Sequence, residues 1–302
     1  MDTTDFKLIT LEDAARMRQY DEDMAISDME FTQLYAWQDR FQNRYKIING
    51  YFCTIFTRDD GVPACYAPIG VYEKESYNET LLILKREMDR LGAPFHFDFV
   101  PENWIPRFGS LPGFHVSLSC DDDFSDYIYK AEDFLCLTGR ANEHKRYLVN
   151  YFKKHYTYEY RSLTAENRQD AMKVMENWCE GRDCSQCYWG CEKKAITRVL
   201  EGWDMLSCRG AVIYVDGEPS AFMVGEQIRQ DMVVSHFQKA DKRIKGLYAF
   251  ISHAFYIREY PGITYINLQE DMGIPALRES KQSYRPCHML RKYIVTLNER
   301  QG

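Results

Sequence analysis

Residues 211–228 read AVIYVDGEPSAFMVGEQI, two apolar runs separated by Asp216-Gly217. A type I′ turn needs positive φ at both central residues, and Asp-Gly meets that need at little cost. The stretch therefore predicts a β-hairpin from Ala211–Val215 into Pro219–Ile228. A third run, Asp231–Lys239, extends it into an antiparallel meander. Upstream, Tyr156–Leu163 (YTYEYRSL) is strand-like. Ala165–Trp178 has helical spacing at Ala171, Val174, Met175 and Trp178, and a second helix spans Glu192–Trp203. Downstream, Gly246–Glu259 is an apolar helix stopped by Pro261-Gly262. A strand Ile263–Leu268, a short helix Ile274–Ser280 and a last strand Met289–Leu297 follow.

The first half of the chain repeats this order. Strand Phe6–Thr10 precedes helices near Leu11–Asp23 and Glu30–Trp37. Strand Tyr45–Ile48 then turns at Asn49-Gly50 into Tyr51–Thr57, and Val62–Ala67 is the third strand. Helix Glu79–Leu91 ends at Gly92, strand Phe95–Val100 follows, and a closing strand comes after Gly113. The repeat lies in element order, not residue identity. It predicts an α/β (α+β) protein of two tandem domains, residues 1–155 and 156–302, which suits a length of 302 residues. Asp121-Asp122-Asp123 is expected to be a solvated loop near the junction.

Bulk composition narrows function. A net charge of −7 argues against wholesale nucleic-acid or anionic-membrane binding, while leaving room for a local basic patch. No stretch approaches the apolar length that spans a bilayer, and MDTTDFKLIT lacks a signal-peptide pattern, so a cytoplasmic protein without integral membrane association is expected. The ten cysteines are then expected to be free thiols. Absence of GxSxG, HExxH, Walker and post-strand GxGxxG patterns removes the usual support for hydrolase triads, zinc proteases, P-loop enzymes and dinucleotide oxidoreductases.

Three stretches carry candidate chemistry. In FQKADKRIKGLYAF, Phe237–Phe250, a strand ends and a helix begins near Gly246. Helix-start N–H groups bind phosphate or polarise a carbonyl, and Lys239, Lys242, Arg243 and Lys245 make this turn basic. Its plain alternative is a solvated loop. In Gly139–Arg161, Lys145, Arg146, Lys153 and Lys154 are placed to meet phosphates, and Tyr147, Tyr151 and Phe152 to stack on bases or pack inward. The alternative there is an amphipathic linker helix with snorkelling charges. In Ile266–Tyr293, Glu270 and Asp271 follow a buried strand end, where α/β architectures place ligands; they are either proton acceptors or caps of the next helix.

Cys179, Cys184, Cys187 and Cys191 crowd into WCEGRDCSQCYWGC, Trp178–Cys191. Four thiolates suit zinc or an iron–sulfur cluster, but Cys184, Cys187 and Cys191 fall at i, i+3 and i+7, one helical stripe on which cysteine packs as a small hydrophobe. Core packing is preferred and no metal ligand is assigned.

Several pieces in order resemble bacterial proteins related to the C-terminal domain of phosphatidylglycerol lysyltransferases. They are Asp28–Trp37 (DMEFTQLYAW), Asp126–Arg140 (DYIYKAEDFLCLTGR), Lys145-Arg146 with Asn150 and Phe152, Gly210–Glu226, Phe237–Tyr248 and Glu270–Pro286 (EDMGIPALRESKQSYRP). The resemblance implies two tandem GNAT-like acyltransferase domains, each a mixed, mostly antiparallel sheet flanked by helices. The GNAT pyrophosphate loop maps to Arg243, Gly246 and Tyr248, where bulky Tyr248 replaces a small residue. The chain also departs from the family at Gln238, Leu268 and Gln269.

The implied activity moves an acyl or aminoacyl group, from acyl-CoA or aminoacyl-tRNA, to a small amine- or hydroxyl-bearing acceptor. No tightly bound cofactor is implied. Direct amine attack needs orientation, an oxyanion contact and a proton acceptor. The turn Arg243, Lys245, Gly246, Leu247 is assigned the oxyanion and phosphate contacts, with Gln238, Lys239, Lys281, Lys145 and Arg146 beside it. Asp271 or Glu270 is the proton acceptor and Tyr284 a proton donor to the leaving group. The rival reading is a non-catalytic ligand-binding protein on the same scaffold.

Overall fold

The computed structural model describes residues 5–20, 26–180 and 192–300. It divides into a unit of residues 1–126 with 290–302, and a unit of residues 127–289.

The first unit is built on a seven-stranded sheet. Its strands are β1 (Lys7–Leu8), β2 (Arg44–Ile48), β3 (Tyr51–Thr57), β4 (Pro63–Tyr66), β5 (His96–Pro101) and β6 (Phe114–Cys120), with β14 (Lys292–Glu299) inserted. The order is β1-β2-β3-β4-β5-β14-β6, and all pairings are antiparallel except β4 with β5. Helix Lys74–Arg90 buries Tyr77, Leu81, Leu84 and Met88, the i, i+4, i+7, i+11 stripe that makes one helical face apolar.

The second unit repeats the plan. Its strands are β7 (Asp126–Lys130), β8 (Tyr158–Ser162), β9 (Cys208–Val215), β10 (Glu218–Arg229), β11 (Met232–Ala240), β12 (Tyr265–Asn267) and β13 (His288–Leu290). They run β13-β7-β12-β11-β10-β9-β8, with β11 and β12 parallel. The opening hairpin forms as its sequence requires: Asp216 has φ 50° and Gly217 φ 88°.

Each sheet takes its sixth strand from beyond the expected boundary. β14 was expected to close the second sheet but pairs with β5 and β6, and β7 pairs with β12. The division therefore falls at residues 126/127 and 289/290, not at 155/156. Residues 143–155 are no linker either: Val149 and Phe152 sit in the second unit's core. Among the described residues no helix is long and apolar enough to cross a membrane.

One buried carboxylate in the first unit makes a stability prediction. Asp98 on β5 is 4% exposed, its Oδ1 has no hydrogen-bond donor among the described residues, and Arg58 Nε lies 3.4 Å from Oδ2. Burial pushes its carboxyl from 3.8 to about 6, against the pull of Arg58. The folded value is raised, so the native state holds the proton more tightly, and stability falls as pH rises from about 4 to about 6. Above that window the ionised group costs about 3 kcal/mol. Asp98→Asn is expected to raise stability by about that amount at pH 7.5 and to do almost nothing at pH 3.5, read from hydrogen-exchange protection of the β4 and β5 amides at both.

Candidate functional site

The second sheet opens where β12 stops. β11 pairs with β12 only over Met232–Val234, so the rest of β11 runs on without that neighbour. Gln269 fills the first gap by donating from Nε2 to the Ser235 carbonyl at 2.7 Å. Ser235 Oγ meets Tyr256 of helix Leu247–Glu259 at 2.5 Å, and Gln238 also faces this helix. The register slips by one residue here, since Val224 opposes Phe237 while Gly225 opposes Ser235. A β-bulge of this kind re-aims side chains, and it brings both Ser235 and Gln238, three apart, to one face.

Gln238 is fixed as a donor. Its Nε2 gives hydrogen bonds to the Tyr248 carbonyl at 3.0 Å and to Ser252 Oγ at 2.9 Å, which an ionised glutamate could not do. Ser252 also reaches the hydroxyl of Tyr284, whose pKa burial pushes up to about 12, making it a weaker acid. The Tyr284 ring stacks on Phe134 with centroids 4.6 Å apart. Lys145 Nζ sits 3.7 Å above that ring and donates to Ser283 Oγ at 2.8 Å. Burial brings the Lys145 ammonium down to about 8. Gln238, Ser252, Tyr284 and Lys145 thus form a connected group. Ser252 was missed in the sequence, where its one signal was a hydroxyl within the apolar helix GLYAFISHAFYIRE.

The basic turn is arranged differently from a phosphate cradle. Gly246 has φ 87°, and a Cβ there would lie 2.3 Å from the Leu148 carbonyl oxygen and 3.2 Å from Phe152 Cβ. The partner that this glycine admits is the backbone of helix Glu143–His155. Leu247 is fully buried and its N–H donates to Ile244 O at 3.3 Å. Arg243 is exposed and clasps Asp241, with Nη2 to Oδ2 at 2.7 Å. Lys239 is buried against the Trp178 ring and pairs with Glu192 at 2.8 Å. Lys245 lies 4.5 Å from the centroid of Tyr151 and donates to Tyr147 Oη at 3.1 Å.

Three further assigned residues are engaged by groups of the protein itself. Asp271 is fully buried and accepts from Tyr127 Oη at 2.5 Å, Gly273 N at 2.9 Å and Arg278 Nη2 at 2.7 Å. Burial opposes its charge, but the bonds from Arg278, Tyr127 and Gly273 together hold the carboxyl below its usual range. It is a committed ion-pair partner and a poor proton acceptor. Lys281 is buried, and its Nζ donates to the carbonyls of Leu268, Gln269 and Glu270, so it neutralises the end of β12 and does not hold an external anion. Arg146 likewise donates to the Leu137 and Gly139 carbonyls. Glu270 is half-buried just beyond β12. Of the four cysteines, Cys179 ends helix Arg168–Cys179; Cys184, Cys187 and Cys191 lie outside the described residues.

A ring ladder, exposed except for half-buried Tyr151, runs along helix Glu143–His155. His144 stacks on Tyr147 at 6.4 Å, Tyr147 meets Tyr151 at 6.0 Å, and Tyr151 stacks on His155 at 4.0 Å. Spacings of three and four place these rings on one helical face.

Comparison with solved structures supports the fold. A conserved protein of unknown function from Bacteroides thetaiotaomicron is 28% identical, covers 97% of this chain and 99% of its own, and superposes with a TM-score of 0.89. L-PGS from Bacillus licheniformis is 15% identical over 98% of this chain and 94% of its own, TM-score 0.67. A tandem GNAT protein from the clavulanic acid biosynthesis pathway is 10% identical over 98% and 99%, TM-score 0.51. The chain therefore has the tandem GNAT-like fold. No curated protein matches the sequence. The family described as phosphatidylglycerol lysyltransferase, C-terminal, matches residues 22–296, and the chain belongs to that family.

Proposed function

We propose that this chain is an aminoacyl- or acyltransferase whose reacting groups meet at Lys145, Gln238, Ser252 and Tyr284. The observation that carries the reading is Lys145. It is half-buried, 3.7 Å above the Tyr284 ring, with an ammonium that releases its proton near pH 8. An attacking amine must lose a proton, and an acceptor matched to ambient pH does this best. Tyr284 then supplies the proton for the leaving oxygen, and Gln238 orients it through Ser252.

The donor that the turn favours is aminoacyl-tRNA. The Leu148 carbonyl crowds Gly246 where a pyrophosphate would need room, which disfavours acyl-CoA. The Tyr147–Tyr151 ladder beside Lys245 offers what nucleotide bases stack on. The acceptor is a small molecule with an amine or hydroxyl. Transfer from a pool of charged tRNA to such acceptors tests the reading. kcat/KM is expected to rise with pH towards about 8, because only neutral Lys145 accepts a proton, and Lys145→Met should abolish that limb. Tyr151→Ala is expected to weaken tRNA binding about 5–150-fold, the worth of one lost stack. Acetyl-CoA turnover indifferent to Tyr151→Ala would overturn the donor.

The ion-paired state of Asp271 favours a second reading, a ligand-binding protein that has given up catalysis. Tight tRNA binding with no transfer to any acceptor would select it.

A further inference from the structure

Cys208, Glu226 and His236 come from three adjacent strands, β9, β10 and β11. Glu226 is the direct cross-strand partner of Cys208. His236 is the extra residue at the β11 bulge, between the Phe237 and Ser235 pairings. All three lie on the sheet face away from helix Leu247–Glu259. Ala211, Met223 and Val233 pack in the core with that helix, and a Cβ on Gly225 would touch Phe255 of the same helix. Period-two alternation then sends Cys208, Glu226 and His236 to the other face.

The donor atoms converge. His236 Nε2 lies 3.4 Å from Glu226 Oε2, Cys208 Sγ lies 3.9 Å from the same oxygen, and all three donor atoms fall within 4.8 Å of one another. Ligands 2.0–2.3 Å from a tetrahedral ion stand about 3.3–3.6 Å apart, so small side-chain adjustments would close them around one cation. The Glu226 and His236 side chains are 7% and 0% exposed, whereas Cys208 is half-buried and leaves a route from solvent.

We propose that Cys208, Glu226 and His236 form a mononuclear site for zinc or a similar borderline divalent ion, with water in the fourth position. The donor set decides the metal class. Thiolate and imidazole disfavour magnesium and calcium, which take oxygen ligands, and three protein ligands with one exchangeable position are the usual open zinc arrangement. Alternation from Val233 and Ser235 already places His236 on this face, and the bulge after it returns Gln238 to the helix side, which keeps the two sites on opposite faces of the sheet. This site uses none of the residues assigned to transfer, and so stands or falls separately from the proposed function.

The test uses the full chain without a histidine tag, stripped with chelator and titrated with cobalt and zinc. A parallel variant replaces Cys179, Cys184, Cys187 and Cys191 by serine, removing the competing thiols. Stoichiometric binding with a thiolate-to-cobalt charge-transfer band is expected in both. Cys208→Ser should lose the band. His236→Gln should weaken zinc by at least about 100-fold, since even an outer-shell partner costs 10–100-fold. Binding lost in the four-serine variant, or unaltered by Cys208→Ser and His236→Gln, overturns the site and leaves an internal hydrogen-bonded cluster. Should those variants fail to fold, X-ray absorption of the zinc-loaded wild type decides. One sulfur among light-atom neighbours supports the site; three or four sulfurs overturn it.

Discussion

Lys292→Met is expected to destabilise the first unit by about 3–5 kcal/mol, the usual result of breaking a buried ion pair from one side. Lys292 Nζ lies 2.6 Å from Asp28 Oδ2 and 2.8 Å from Asp126 Oδ1, and the side chains of Lys292 and Asp126 are 1% and 0% exposed. Asp126 also accepts from Ser27 N at 3.0 Å and Ser27 Oγ at 3.3 Å, so its position is set and it cannot swing to water. Methionine fills the lysine's volume beside Phe99, whose ring centroid is 5.5 Å from Nζ, yet strands two carboxylates without their ammonium. Global unfolding of a two-unit chain is not two-state. The measurement is therefore hydrogen exchange in the β5 and β14 amides. Lys292→Met with Asp126→Asn should recover part of the loss, because it removes one of the uncompensated charges. A loss below 1 kcal/mol in the single variant would mean that the ion pair is not formed.

Lys292 begins the strand whose placement was not legible in the sequence, and the reason is physical. Local φ requirements and apolar period reveal an element and its neighbour across a tight turn, as at Asp216-Gly217. They carry no information on a partner far away in the chain. β14 is apolar enough to sit in either sheet, and its place between β5 and β6 is set by a ladder in which Val295 opposes Phe97 on one side and Leu118 on the other. β7 was hidden for the same reason. DYIYK is too short to outweigh the acidic run before it, and its register, Ile266 against Tyr129, is visible only once folded.

The candidate site shows the same split between residue type and residue task. Lys145, Gln238 and Tyr284 were singled out one by one, from a basic helix, a departure from the family pattern and the stretch after a buried strand end; that Lys145 sits over the Tyr284 ring is visible only once folded. What each cation does was not legible either. Lys281 and Lys239 looked like anion contacts because a sequence displays charge but not the carbonyls or the glutamate that consume it. Asp271 followed a buried strand end as expected, but Arg278, seven residues on, folds back to hold it. The bulge at His236 leaves no mark in composition, although it decides which face receives Gln238.

Gly246→Ala separates these tasks most sharply at the basic turn. Two accounts predict different outcomes. If the glycine serves a ligand, alanine should leave stability near wild type and weaken donor binding. In the packing account, the added methyl meets the Leu148 carbonyl oxygen at 2.3 Å and Phe152 Cβ at 3.2 Å, while φ 87° already disfavours an L-residue. Left-handed backbone costs about 1–2 kcal/mol and forced overpacking a further 1–3 kcal/mol, so a loss of about 2–5 kcal/mol is expected. The obstacle is backbone, which cannot rotate aside as a side-chain tip would. Exchange protection should fall first in helix Glu143–His155, whose Val149 and Phe152 anchor it to the core. Arg243→Ala, three residues earlier and exposed, is the control and should change stability by no more than about 0.5 kcal/mol. Gly246→Ala with unchanged stability and lost donor binding would return this turn to direct ligand contact, and the preference for tRNA over acyl-CoA would lose its main support.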